Sequence, residues 1–145
     1  MNTTLFRVGL AGLAAAAFAI AAPAAFAETQ MYKATLTSAA EVPANASKGM
    51  GALTANYDTA TKKLIWNVTF TGLSGPATAA HFHGPAAAGA NAGVVVPQKD
   101  GLASPMKGEA TLTDAQAADL QGGKWYFNVH TEANKGGEIR GQVMK

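Results

Sequence analysis

Lys63-Leu64-Ile65-Trp66-Asn67-Val68-Thr69-Phe70 is the stretch whose reading decides the fold. Leu64, Trp66, Val68 and Phe70 recur at every second position, with Asn67 and Thr69 between them. A period of two places alternate side chains on opposite faces of an extended chain, so this is a half-buried β-strand and not a helix. The same alternation returns toward the C-terminus. From Lys124 to Thr131, Trp125, Phe127 and Val129 oppose Tyr126, Asn128 and His130. From Glu138 to Met144 the inward set is Ile139, Gly141 and Val143, while Glu138, Arg140 and Gln142 point away. Shorter stretches of the same character predict strands at Tyr32–Thr37, Gly51–Tyr57, Ala77–His83, Gly93–Val96 and Gly108–Thr113.

Turn chemistry separates these strands. Asp58-Thr59-Ala60-Thr61 reads as a polar hairpin connection, Gly72 to Pro76 as a loop, and Asn134-Lys135-Gly136-Gly137 as a tight turn. The Ala- and Gly-rich segment Pro85 to Gly93 reads as a mobile loop. One helical turn is predicted over Thr113 to Leu120, capped by Thr113 and stopped by Gly122-Gly123. The expected class is all-β: an antiparallel Greek-key β-sandwich or barrel of about seven to eight strands, with at most one or two short helices. Its core is expected to hold Leu64, Trp66, Val68, Phe70, Phe82, Trp125, Phe127, Val129 and Ile139.

Residues 1–27 read differently. Arg7 closes a short polar start, Val8 to Ile20 is apolar, Pro23 interrupts it, and Ala25-Phe26-Ala27 offers small residues to a signal peptidase. The apolar run is shorter than the roughly 20 residues a spanning helix needs. A cleavable export signal over residues 1–27 is therefore expected, followed by one β domain over residues 28–145, periplasmic or secreted. With no cysteine in the chain, that domain folds without disulfides, and thiolate metal sites and cysteine nucleophiles are excluded. Formal net charge is +2, and basic residues are scattered singly apart from Lys62-Lys63. Neither a nucleic-acid partner nor, once the signal is removed, a membrane partner is indicated.

The chain has three histidines, and two of them stand as His81-Phe82-His83. On a strand these two imidazoles share a face while Phe82 takes the other. His130 lies on the outward side of a second strand, beside Asn128, so the three converge on the polar outer surface if the two strands are neighbours. The candidate metal ligands are thus His81, His83 and His130, with Glu132, Asn128 or water completing the shell. All-imidazole sets suit copper, with zinc as the alternative. Protons compete for imidazole, so copper affinity is expected to fall from about pH 7 to about pH 5. Other chemistry is missing from the sequence: it has no Gly-x-Ser-x-Gly elbow, no phosphate-cradling glycine loop and no His-Glu-x-x-His helix. Arg140, flanked by Glu138, is expected in a cross-strand ion pair or as bidentate partner of a turn carboxylate such as Glu132.

Four motifs in order, Glu41-Val42-Pro43, Thr78-Ala79-Ala80-His81-Phe82-His83-Gly84-Pro85, Trp125 to Thr131, and Gly136-Gly137-Glu138-Ile139-Arg140-Gly141-Gln142, resemble the CHRD domain. This is the module named after the animal protein chordin, found also as stand-alone exported bacterial proteins. The resemblance implies an all-β extracellular module with no established enzymatic activity, and a shared fold does not transfer a function. A weaker likeness is to the copper/zinc superoxide dismutases. Those enzymes need a bridging histidine, further zinc ligands and usually a disulfide, which one His beyond His81-Phe82-His83 and no cysteine do not supply. The reading that follows is a non-catalytic exported domain that binds a metal ion, copper first, for sequestration or handling. Its alternative is a module for protein or glycan partners outside the cytoplasm, in which the histidines are structural. A small redox enzyme stands third.

Overall fold

The computed structural model describes residues 27–145, and the expected export signal lies, but for Ala27, outside them. Among the described residues the chain forms eight strands, β1 (Thr29–Thr37), β2 (Met50–Asp58), β3 (Lys63–Thr71), β4 (Ala77–His83), β5 (Val94–Pro97), β6 (Met106–Thr111), β7 (Trp125–Thr131) and β8 (Ile139–Val143). One α-helix, α1 (Asp114–Gln121), and one short 3-10 turn, Ser38–Ala40, complete it. The strands form a single, nearly closed antiparallel sheet in the order β5-β4-β7-β8-β1-β2-β3-β6. Local chemistry explains the punctuation. Asp58 Oδ1 accepts from the Ala60 and Thr61 amides at the β2–β3 turn. Thr113 and Gln116 form a reciprocal capping box at the start of α1.

The seam between the two edge strands is closed by side chains instead of a ladder. Gln98, just past β5, accepts from Trp66 Nε1 at 2.7 Å and donates to the Lys107 carbonyl of β6 at 2.7 Å. Gln116 of α1 donates to the Val95 carbonyl of β5. Edge groups that would otherwise recruit a foreign strand are thereby covered.

Inside the barrel, Phe82 is ringed by Trp66, Phe127 and Trp125, with centroids 5.1, 4.8 and 5.6 Å away. Every expected core residue is buried except Phe70. Near its end β3 runs to the mouth of the barrel, and there Phe70 is half-buried and lines an apolar hollow of about 350 Å³ with Leu73, Pro76 and Leu102.

The alternation fails in one region, the outer face of β7 and β8. Tyr126, Asn128, Glu138 and Arg140 were expected to face water, yet all four are buried. Two loops cover them. Pro85 to Gly93, expected to be mobile, is a strap tied down by Gln142 Nε2 to the Ala86 carbonyl and by Tyr126 Oη to Ala92. The loop after β1 lies beside it, where Asn45 Nδ2 donates to the Glu138 carbonyl at 3.0 Å. These strands are therefore covered on both faces. Among the described residues no helix is long and apolar enough to cross a membrane.

Candidate metal centre

β4 and β7 are neighbours, and their register sets His81 opposite Asn128, His83 opposite Tyr126 and Ala79 opposite His130. His81, His83, His130, Asn128 and Tyr126 therefore share the outer face, while Phe82 and Phe127 point inward. One ring nitrogen from each histidine lies within 4.8 Å of the other two, close enough to hold a metal ion. Metal–nitrogen bonds of about 2.1 Å limit two ligands to about 4.2 Å apart, so a pair at the full 4.8 Å closes by at least ~0.6 Å to share an ion.

The hydrogen bonds of the rings fix their tautomers. His83 Nδ1 lies 2.9 Å from the Ala92 carbonyl, and His130 Nδ1 lies 2.9 Å from the Lys135 carbonyl. A carbonyl only accepts, so both Nδ1 atoms carry the hydrogen and, in the neutral ring, both Nε2 atoms hold a lone pair. Those two Nε2 atoms lie 3.0 and 2.9 Å from one oxygen, Asn128 Oδ1. With neutral rings three acceptors thus face one another, an arrangement that either a cation between them or an Asn128 amide turned end for end satisfies. His81 Nδ1 is also buried and has no hydrogen-bond partner. Orientation of Nδ1–H by a backbone carbonyl is the usual outer support of a metal-binding imidazole.

The site favours the neutral form of His81 and His83. Burial, with the charges of His130 and His83, pushes His81 down to about 4. Burial also lowers His83, against the opposing pull of the Ala92 carbonyl and Asn128. At His81 and His83 lone pairs therefore stay free at a lower pH than ordinary imidazole allows, which moves proton competition for these two ligands below the window expected from free histidine. His83 stacks on Tyr126 at 4.7 Å with the rings 1° from parallel.

The expected partners of Arg140 are not the ones it has. Its guanidinium sits 3.4 Å over the Tyr126 ring and donates to Asn91 Oδ1 and to the Ala90 carbonyl, so it pins the strap. Glu138 is instead taken by hydroxyls, with Ser47, Ser74 and Thr131 all donating to it. Glu132 stands on the surface, paired with Lys135 at 2.9 Å and outside the histidine cluster, so it does not complete the shell. Sequence reasoning missed Glu41. It is only 6 % exposed, and burial raises it to about 7 even though the Arg140 charge and the Asn128 amide pull it down. Its signal was present in the Glu41-Val42-Pro43 motif, a lone carboxylate with no turn or cap to serve.

A family model described as the CHRD domain matches residues 32–143. No curated protein and no solved structure matches the chain.

Proposed function

The chain belongs to the CHRD domain family, and from that premise we propose that it is an exported, non-catalytic domain that binds one metal ion, copper foremost, through His81, His83 and His130. Its work is to sequester or hand on that ion in the periplasm or outside the cell. The observation that carries this reading is the meeting of His83 Nε2, His130 Nε2 and Asn128 Oδ1, three acceptors when the rings are neutral, beside a His81 whose ring nitrogen lies within reach of the same ion. Imidazole nitrogen without thiolate or carboxylate suits copper(II) and zinc(II), and copper binds more tightly in the divalent series. Bound copper would supply a charge that satisfies all three acceptors. The protein supplies the rest: two backbone carbonyls that fix the tautomers, and burial that favours the neutral form of His81 and His83.

A second reading has its own support. Turned end for end, the Asn128 amide would donate its two N–H groups to His83 Nε2 and His130 Nε2, and every ring nitrogen of these two histidines would then have a partner within the fold, as structural histidines do. In that case the domain is an interaction module for a protein or glycan partner. Metal analysis of the exported protein, with thermal melts in the presence of Cu(II) and Zn(II), separates the two. The metal reading expects one equivalent of ion and a melting temperature raised by several degrees, since a ligand at 100 Kd adds about 2.7 kcal/mol. A protein isolated metal-free, whose melting neither ion moves, would leave the interaction module.

A further inference from the structure

Glu41 is buried; its Oε1 has no partner at hydrogen-bond distance, while the Asn128 amide lies near enough to pull its ionisation down. It lies across Asn128 from the imidazoles. A Cβ at Gly137, whose φ is +128°, would fall 2.7 Å from Asn128 Nδ2 and would collide with Glu41 Oε1. The amide nitrogen and the carboxylate oxygen therefore border the same small space, which only glycine leaves open. At its other end the amide presents Oδ1 to His83 Nε2 and His130 Nε2.

A primary amide has one donor end and one acceptor end. Were Asn128 reversed, its two N–H groups would cap both Nε2 lone pairs, and its oxygen would face Glu41, acceptor against acceptor wherever that carboxyl is ionised. Resting on the metal reading above, we infer that Glu41 is a positioning residue of the metal centre: it draws Asn128 Nδ2 to itself, turns Oδ1 onto His83 and His130, and so keeps their Nε2 lone pairs uncapped for a cation. Glu41 also places a carboxylate behind a ligand cluster that contains none.

Two variants separate these parts. Glu41→Met removes the acceptor at similar length, and Glu41→Gln keeps an acceptor oxygen but loses the charge. In the metal-free protein, nitrogen NMR of the two imidazoles is expected to show no hydrogen-bond coupling from Asn128 Nδ2–H to either Nε2 in the wild type or in Glu41→Gln. Glu41→Met is expected to show it. Copper affinity is expected to fall about ten- to hundredfold in Glu41→Met, with an altered ligand-field band, and to recover most of that loss in Glu41→Gln. A wild type already coupled from Nδ2–H to Nε2 overturns the inference, and this needs no variant to fold. So does a folded Glu41→Met that binds copper as the wild type does. If the wild type takes up no metal, the metal reading fails by itself, and the coupling pattern still decides whether Glu41 sets the amide.

Discussion

Replacing Glu138 tests whether the covered outer face is held as described. The carboxylate is fully buried and accepts from Ser47 Oγ at 2.5 Å, Ser74 N at 2.7 Å, Ser74 Oγ at 2.6 Å and Thr131 Oγ1 at 2.5 Å. It thereby ties the loop after β1 and the loop after β3 to the start of β8. Burial opposes its ionisation, but the hydroxyl and amide donors outweigh burial and hold it down at about 2. Glu138→Ala strands four donors at once; with unsatisfied buried groups at about 1–3 kcal/mol each and partial relaxation, a loss of about 3–5 kcal/mol is expected. Glu138→Gln keeps the shape and some of the bonds, and about 1–3 kcal/mol is expected. The sign with pH follows from the depressed value. The contribution of the ionised group is fully present above the unfolded carboxylate range near pH 4.5 and is lost as pH falls toward 2. Denaturant titrations followed by tryptophan fluorescence at pH 7, 5 and 3 measure both effects. The gap between wild type and Glu138→Gln should be constant from pH 7 to 5 and should narrow at pH 3. A gap near zero at pH 7, or one that does not change with pH, would refute the clamp.

Two further outcomes follow from the barrel and the site. Trp125→Ala empties a fully buried position beside Phe82 and is expected to lower stability by about 3–5 kcal/mol in the same titrations. Because burial lowers His81 to about 4 and lowers His83 too, copper affinity should fall less steeply from pH 7 to 5 than free imidazole ligands would give, read by competition with a chelator of known affinity.

How much of this was legible in the sequence depends on which face a residue occupies. Inside the barrel the period of two is a direct record of burial, and Leu64, Trp66, Val68, Phe82, Trp125, Phe127, Val129 and Ile139 all lie where it puts them. His81 and His83 were certain to share a face once β4 was a strand. Their meeting with His130 needed the β4–β7 pairing, a long-range choice that no local pattern encodes. The outer face was misread for a different reason. Alternation distinguishes the two sides of a sheet, but it does not say whether a loop lies over the polar side. The strap from Pro85 to Gly93 has almost no side chain with which to announce its docking. It is held by partners elsewhere, Tyr126, Arg140 and Gln142, whose polarity looked like exposure. Arg140 was expected to face a carboxylate because charge alone suggested it, yet it and the neighbouring Glu138 are each held by neutral partners.

Copper titration of the wild type beside His81→Ala, His83→Ala and His130→Ala tests the central claim most directly, because the three rings reach one point from two strands. The account predicts one Cu(II) per wild-type chain, and an affinity lowered at least tenfold in each variant while all three remain folded. Equal binding by the wild type and the three folded variants, or no binding by any of them, would contradict it.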